Sequence, residues 1–348
     1  MQAEAALRTA YDAKYDVLKF ILSLMVVAIH GALSEKIIYP WVRLAVPLFF
    51  IMTSYFLFLK LKNMPGEDGT ILKRFVIRNI RLYLFWFVIL LPLTLYIRRD
   101  LYFCGTQGIL NFLSGLFFGS TFVASWYITA SIIGVCIVFF LSKRIGSFWM
   151  GVIAFASFGI VTCWSSYSFL LPEDCGFARI LSWYNDHLSN PVCSFPVAIF
   201  WIYVGKCFAQ SEGKKCNKWM SLGCFLISLG GLYLEWYFVQ RITGACTNDS
   251  YIMLMPAAIF MFMCIQNINP LENRHGSDIR RASTVIYVTH GSLLPVIGFV
   301  LRKVVHVDSG LLNVVLTVGC SIIVYIAMKW MLCRWKDKKC VLLLKNGF

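Results

Sequence analysis

Apolar residues in this chain come in blocks about twenty residues long, the length a helix rising about 1.5 Å per residue needs to cross a hydrocarbon core about 30 Å thick. Ten such blocks are read at 17–33, 41–59, 79–97, 126–142, 148–164, 192–210, 219–239, 251–267, 283–301 and 311–332. Of the 348 residues 59% are hydrophobic and only 14% charged. That is too little charge to coat a soluble domain of this size, whose apolar residues would form stripes rather than whole segments. Helices are expected because lipid leaves open sheet edges without hydrogen-bond partners. The expected fold is therefore an all-α polytopic membrane protein of about ten transmembrane helices, one domain over residues 1–348 with no appended soluble domain. Residues 109–124, broken from the next span by Gly115, Gly119 and Ser120, are read as an interfacial or re-entrant helix.

Charge sets the orientation. With the N-terminus on the cytoplasmic side, 24 of the 32 Lys and Arg residues fall on that side, leaving Lys36, Arg43, Arg98, Arg99, Arg179, Arg241, Arg302 and Lys303 outside. Both termini are then cytoplasmic, in a multi-pass protein of the inner or plasma membrane. The net charge of +15 follows from this bias and from basic loops facing anionic lipid head groups, and does not call for nucleic acid. The thirteen cysteines form no Cys-x-x-Cys pair, so no zinc or redox centre is expected. Cys104, Cys175 and Cys246 would lie outside, where one disulfide among them is open; Asn248-Asp-Ser250 is a glycosylation pattern in an outside loop. The largest external excursion, 165–191, is placed to cover the outer mouth.

The polar residues inside the apolar blocks carry the chemistry. His30 lies 14 residues after Asp16, about 21 Å along the first helix and so in its outer half. A neutral imidazole there is compatible with a general base, a metal or haem ligand, a proton relay, or a hydrogen-bonded contact between helices. His290, in "STVIYVTHG", lies at similar depth, which leaves open a bis-histidine haem; His187, His275 and His306 fall in loops. Arg74, Arg78 and Arg81 are spaced to share one helical face at the cytoplasmic rim. Their bidentate guanidiniums suit a ligand with several phosphates as well as they suit lipid head groups. Lys19 can snorkel to the inner interface. Arg43 opens the second span on the outside, just before Pro47. Glu235, near the outer end of the seventh, can pair with Arg241 or sit at the interface.

Five motifs in order resemble the membrane-bound acyltransferase-3 family of bacterial cell-surface acyltransferases, over residues 15 to about 290. They are "YDVLKFILSLMVVAIH" through Asp16, Lys19 and His30; "RLAVPLFFIMTSYFLF" through Arg43, Val46, Phe49, Phe50 and Tyr55; "RFVIRNIRLYLFW" through Arg78 and Arg81; "SWYITASII" through Trp126 and Tyr127; and "STVIYVTHG" through Ser283, Tyr287 and His290. Two departures stand out. Lys19 replaces the commoner Arg, and Thr53-Ser54 replaces the usual Ser-Gly, so a close approach that glycine permits is crowded by a side chain.

The resemblance implies transfer of an acyl group, usually acetyl, from cytoplasmic acetyl-coenzyme A to a hydroxyl of a surface glycan or lipid-linked sugar, without a metal. It implies a coenzyme site at Arg74, Arg78 and Arg81 with Lys19, and His30 as the general base. Arg43 or Tyr127 would stabilise the oxyanion, with Trp126, Tyr287 and His290 on the acceptor side. The competing expectation is a transporter or exporter of a glycan intermediate or amino acid on the same membrane frame.

Overall fold

The computed structural model describes residues 13–31, 38–172, 175–212, 216–244, 249–271, 276–334, 341 and 344–348. Among them every regular element is a helix. The principal ones are α1 (Ala13–His30), α2 (Ala45–Asn63, led in by a short turn Tyr39–Val42), α3 (Asp68–Ile97), α4 (Gly105–Phe117), α5 (Trp126–Ser165), α6 (Gly176–His187), α7 (Phe195–Gln210), α8 (Lys218–Thr243), α9 (Leu254–Asn267), α10 (Gly276–Val300) and α11 (Gly310–Arg334). Six helical stretches are long and apolar enough to cross a membrane: Tyr39–Asn63, Asp68–Ile97, Trp126–Ser165, Lys218–Thr243, Gly276–Val305 and Gly310–Arg334. Among the described residues each expected block falls mainly on a helix, but only these six stretches have the length and apolarity of a span, so the expected count of ten is not established. Two blocks share α5, which breaks at Gly146 with φ +83°, a left-handed conformation open to glycine without strain.

Contacts with α7 show what that break does. The first half of α5 runs alongside α7, with Gly134 against Ala198 and Ile202; just past the break Ser147 receives bonds from Tyr203 Oη at 2.9 Å and Lys206 Nζ at 3.1 Å. The second half returns, with Phe158 on Phe200 at 4.7 Å and Ser157 Oγ donating to the Pro196 carbonyl at 2.6 Å. Two antiparallel segments thus meet at Gly146.

The bundle has two chemically distinct ends. At one, Lys62 Nζ donates to the carbonyls of Ala209 and Gln210 at 3.3 and 3.2 Å, and Lys14 Nζ to that of Ile268 at 2.8 Å, cations set on helix C-termini. Lys143 pairs with Asp68, Lys329 with Asp278 at 2.8 Å and Arg280 with Asp16 at 3.7 Å. The other end gathers His30, Arg43, Trp126 and Asp249. Helices α3 and α10 reach further into the basic end than the apolar blocks indicate, starting at Asp68 and Gly276 rather than 79 and 283. Their charged first turns alternate polar and apolar faces, which a count of apolar length does not register.

Within lipid, apolar burial alone does not drive helices together, so close packing of small residues matters. The crossing of α2 and α7 shows it. A Cβ on Gly205 would overlap Ser54 Oγ and the Ile51 carbonyl. The close approach made impossible by Ser54 is thus made by glycine on the facing helix. Around this crossing lie Leu48, Phe50, Ile51, Ala198 and Trp201, all buried. Large apolar side chains on α3, α5, α8 and α11, such as Val88, Phe148, Ile227 and Ile323, point outward, as a lipid-facing surface requires.

Several finer expectations change. Residues 109–124 are not one helix: α4 ends at Phe117 and residues 118–125 form a pinned loop. Arg98 Nη1 donates to the Ser120 carbonyl at 2.5 Å, Tyr102 Oη to that of Thr121 at 3.0 Å, and Tyr83 Oη pairs with Thr121 Oγ1 at 2.8 Å. The excursion 165–191 contains α6, tied to α4 through the bond from Ser114 Oγ to Leu188. Cys104 and Cys175 are free thiols; Cys246 and Asn248 lie outside the described residues. Glu235 takes no part with Arg241: it accepts from Tyr167 Oη at 2.5 Å and from the amides of Ile252 and Met253 at 2.6 and 2.7 Å. Free amides ahead of α9 need acceptors, and a carboxylate supplies two.

Candidate active site

His30 closes the last turn of α1 and is exposed, while His290, midway along α10, is fully buried. Their rings stack with centroids 5.3 Å apart and planes 28° from parallel. His290 Nδ1 lies 2.5 Å from the Tyr287 carbonyl. A carbonyl only accepts, so in the neutral ring Nδ1 carries the proton and Nε2 the lone pair. That Nε2 is buried with no hydrogen-bond partner. Face-to-face stacking turns the in-plane nitrogens of the two rings away from a common axial line. The adjoining cavity, about 60 Å³, does not admit a macrocycle, so the residues do not fit a bis-histidine haem.

The cavity beside the pair is lined by His30, Arg43, Pro47, Trp126, Asp249 and Tyr287 among others. Arg43 is held from two directions: Nη2 lies 2.7 Å from the Asp249 carboxylate and donates to the Asp249 carbonyl at 2.6 Å. Its guanidinium sits 5.6 Å over the Tyr39 ring. Its Nε is buried and has no hydrogen-bond partner. One N–H of a fixed cation is therefore left without a partner, on a residue that lines the cavity. Asp249 in turn is placed by Ser165 Oγ, which accepts from the amides of Asp249 and Ser250 at 2.9 and 3.1 Å. Ser250 is buried, its hydroxyl 2.9 Å from that of Thr162.

Gly291, next to His290, explains how the pinned loop reaches this cavity. A Cβ there would overlap Val123, so only glycine lets residues 118–125 press onto α10. The adjoining Ala124 has φ +75°, a left-handed conformation costing a non-glycine residue about 1–2 kcal/mol. The Tyr287 hydroxyl donates to the Ala124 carbonyl at 2.9 Å and holds it there.

Between the cavity and the basic end stands a column of rings. Tyr127 and Tyr287 are 5.5 Å apart, and Phe49 touches both at 5.9 and 5.7 Å. The Tyr127 and Thr53 hydroxyls are 2.9 Å apart. Below it, Lys19 lies within electrostatic reach of Asp16, Arg280 and Arg78. Arg74, Arg78 and Arg81 share one exposed face of α3 and line a second cavity of about 280 Å³ with Lys345, Asn346 and Phe348. The two cavities share no lining residue.

The structure thus brings His30, Arg43, Trp126 and Tyr287 to one cavity with His290 against it, gathers Arg74, Arg78 and Arg81 at the other, and sets Tyr127 and Lys19 between. Sequence reading missed Asp249, Lys345 and Cys193, the last of which also lines the cavity beside His30. Asp249 carried one signal, an acidic residue in an outside loop where Arg43 needs a counter-charge.

Long apolar helices carrying a stacked imidazole pair at one end and a tri-arginine face at the other define a multi-pass helical membrane protein. Residues 12–330 match the family model described as an acyltransferase domain, and the chain belongs to this acyltransferase-3 family. It is 27% identical over 335 residues to a protein of Enterococcus faecalis named amino-acid racemase, covering 88% of this chain and 44% of that one. A second Enterococcus faecalis protein of the same name is 24% identical over 268 residues, 71% of this chain and 35% of the relative. The chain thus spans less than half the length of these curated relatives. No solved structure matches.

Proposed function

We propose that the protein moves an acyl group, acetyl in the simplest case, from acyl-coenzyme A to a hydroxyl of a surface glycan or lipid-linked sugar at the plasma membrane. The observation that carries this reading is the exposed imidazole of His30, stacked on His290 and facing a cavity also lined by Arg43, whose buried Nε–H has no hydrogen-bond partner. The coenzyme phosphates rest against Arg74, Arg78 and Arg81, and the thioester arm reaches the cavity when the Tyr127–Tyr287 contact parts to admit it. His30 accepts the proton of the acceptor hydroxyl as its oxygen attacks the thioester carbonyl. The tetrahedral oxyanion takes a hydrogen bond from Arg43 Nε. Its collapse breaks the carbon–sulfur bond, and the imidazolium returns the proton to the departing thiolate. A general base contributes about 10²–10⁴-fold in rate, and one oxyanion donor about 10²–10³-fold.

The test follows acetyl label from acetyl-coenzyme A into envelope material. His30→Gln protein, inserted at normal abundance, is expected to lose at least about a hundredfold in transfer while binding coenzyme as before. Undiminished transfer removes His30 from the reaction.

A second reading has its own support. The relatives named amino-acid racemase, together with a guanidinium and a carboxylate side by side at Arg43 and Asp249, suit an amino acid, whose carboxylate and ammonium they complement. A carrier of an amino acid on this frame would fill sealed vesicles with labelled substrate in the absence of any thioester; the transferase would not.

A further inference from the structure

The basic cavity has a wall that the arginine motif does not provide. Residues 344–348 lie across it as a strap. Leu344 is buried; Trp86 Nε1, on α3 beyond the arginines, donates to the Gly347 carbonyl at 3.0 Å. A Cβ on Gly347 would meet the Phe85 ring at 2.5 Å and the Met328 methyl at 2.8 Å, so the backbone itself is wedged between α3 and α11. The Phe348 ring stands edge-on to Tyr325 at 5.9 Å with the Arg281 guanidinium 5.5 Å over it. This anchoring leaves Lys345 exposed and turned to the cavity opposite Arg74, Arg78 and Arg81.

Among the described residues, four basic side chains and no acidic one line this space of about 280 Å³. Like charges so gathered repel one another. An anion with several oxygens relieves that repulsion. The arginines supply planar forks and Lys345 a compact point charge, the two modes by which proteins hold phosphate. Arg74 and Arg81 lie seven residues apart on α3, about 10 Å along the helix, which spaces them for more than one phosphate group.

We propose that the strap Leu344–Phe348 forms the second wall of the phosphate site, with Lys345 closing on the phosphates of coenzyme A across from Arg74, Arg78 and Arg81, and the Trp86–Gly347 bond fixing its position. This rests on the reading of the arginine face as the coenzyme site. The strap acts in binding; the transfer step lies at the other end of the bundle.

The experiment measures equilibrium binding of labelled coenzyme A to the full chain in neutral nanodiscs, with thermal unfolding as the check on folding. Lys345→Glu is expected to weaken binding at least about tenfold, the loss of one charge-assisted phosphate contact, with Lys345→Arg retaining it. Gly347→Val, which cannot keep the strap wedged, and Trp86→Phe, which only removes its anchor, should weaken it in that order. The double variant Arg78→Ala/Arg81→Ala reports on the underlying reading. If it loses binding while Lys345→Glu and Gly347→Val hold coenzyme like wild type, the strap is not part of the site and the proposal fails alone. If none of these variants weakens binding, the coenzyme reading of the arginine face fails with it. Nanodiscs of anionic phospholipid give the other source of phosphate: loss of lipid retention in Lys345→Glu with coenzyme binding unchanged assigns the cavity to a head group and overturns the proposal.

Discussion

Replacing Gly205 with alanine adds one methyl group at a close crossing of α2 and α7. That methyl would overlap Ser54 Oγ and the Ile51 carbonyl and come within 3.0 Å of the Tyr55 amide nitrogen. Overpacking of this kind costs about 1–3 kcal/mol. Two of the three obstacles are backbone atoms of α2 and cannot swing aside, so the expected loss lies at the upper end, about 3 kcal/mol. Ser54→Gly removes the hydroxyl but leaves the Ile51 carbonyl, so in the double variant only part of the loss returns. The expected coupling is about 1 kcal/mol, measured against the cost of roughly 0.5–1 kcal/mol that Ser54→Gly incurs alone through backbone freedom. Detergent-titrated unfolding of the four proteins of the cycle reads these quantities. The separation of α2 and α7 also sets Thr53, whose hydroxyl meets Tyr127 at 2.9 Å, so transfer should fall in Gly205→Ala and recover in step with stability. A Gly205→Ala protein as stable as wild type, or strict additivity with Ser54→Gly, would refute the argument that a glycine on α7 compensates for the serine on α2.

At the cavity, Asp249→Asn keeps the carbonyl bond to Arg43 but discharges the partner of a guanidinium only 11% exposed. Breaking a fully buried pair costs about 3–5 kcal/mol; with Asp249 38% exposed, a loss of about 1–2 kcal/mol is expected, and adding Arg43→Ala should cost less than the separate losses summed. Equal stability of Asp249→Asn and wild type in denaturation would show that the pair contributes nothing. Gly291→Val pushes Val123 and its loop away from α10 and is expected to abolish transfer while coenzyme affinity at the distant arginine face stays within about twofold; parallel loss of both would mean general misfolding rather than damage to the cavity.

Much of the molecule was legible along the chain. The apolar blocks each became helix, and Arg74, Arg78 and Arg81 lie together because their spacing alone places them on one face. Both properties are periodic and local: hydropathy over about twenty residues fixes a span, and a turn of about 3.6 residues fixes a face. The turn at Gly146 is of the same kind, since it rests on one residue's freedom at positive φ.

What only tertiary structure decided is which side chain meets which. His30 and His290 stack although nothing between them in the chain encodes their contact. Arg43 finds its counter-charge 206 residues away, and Lys345 comes to face α3 arginines that precede it by more than 260 residues. The crossing at Ser54 works because of Gly205, so a departure that looks unfavourable in one segment is accommodated by another. In lipid, an apolar face satisfies its solvent almost wherever it points, so hydropathy sets depth and leaves rotation and partner open. Those are settled by close packing and by polar groups that need partners, and both depend on the assembled bundle.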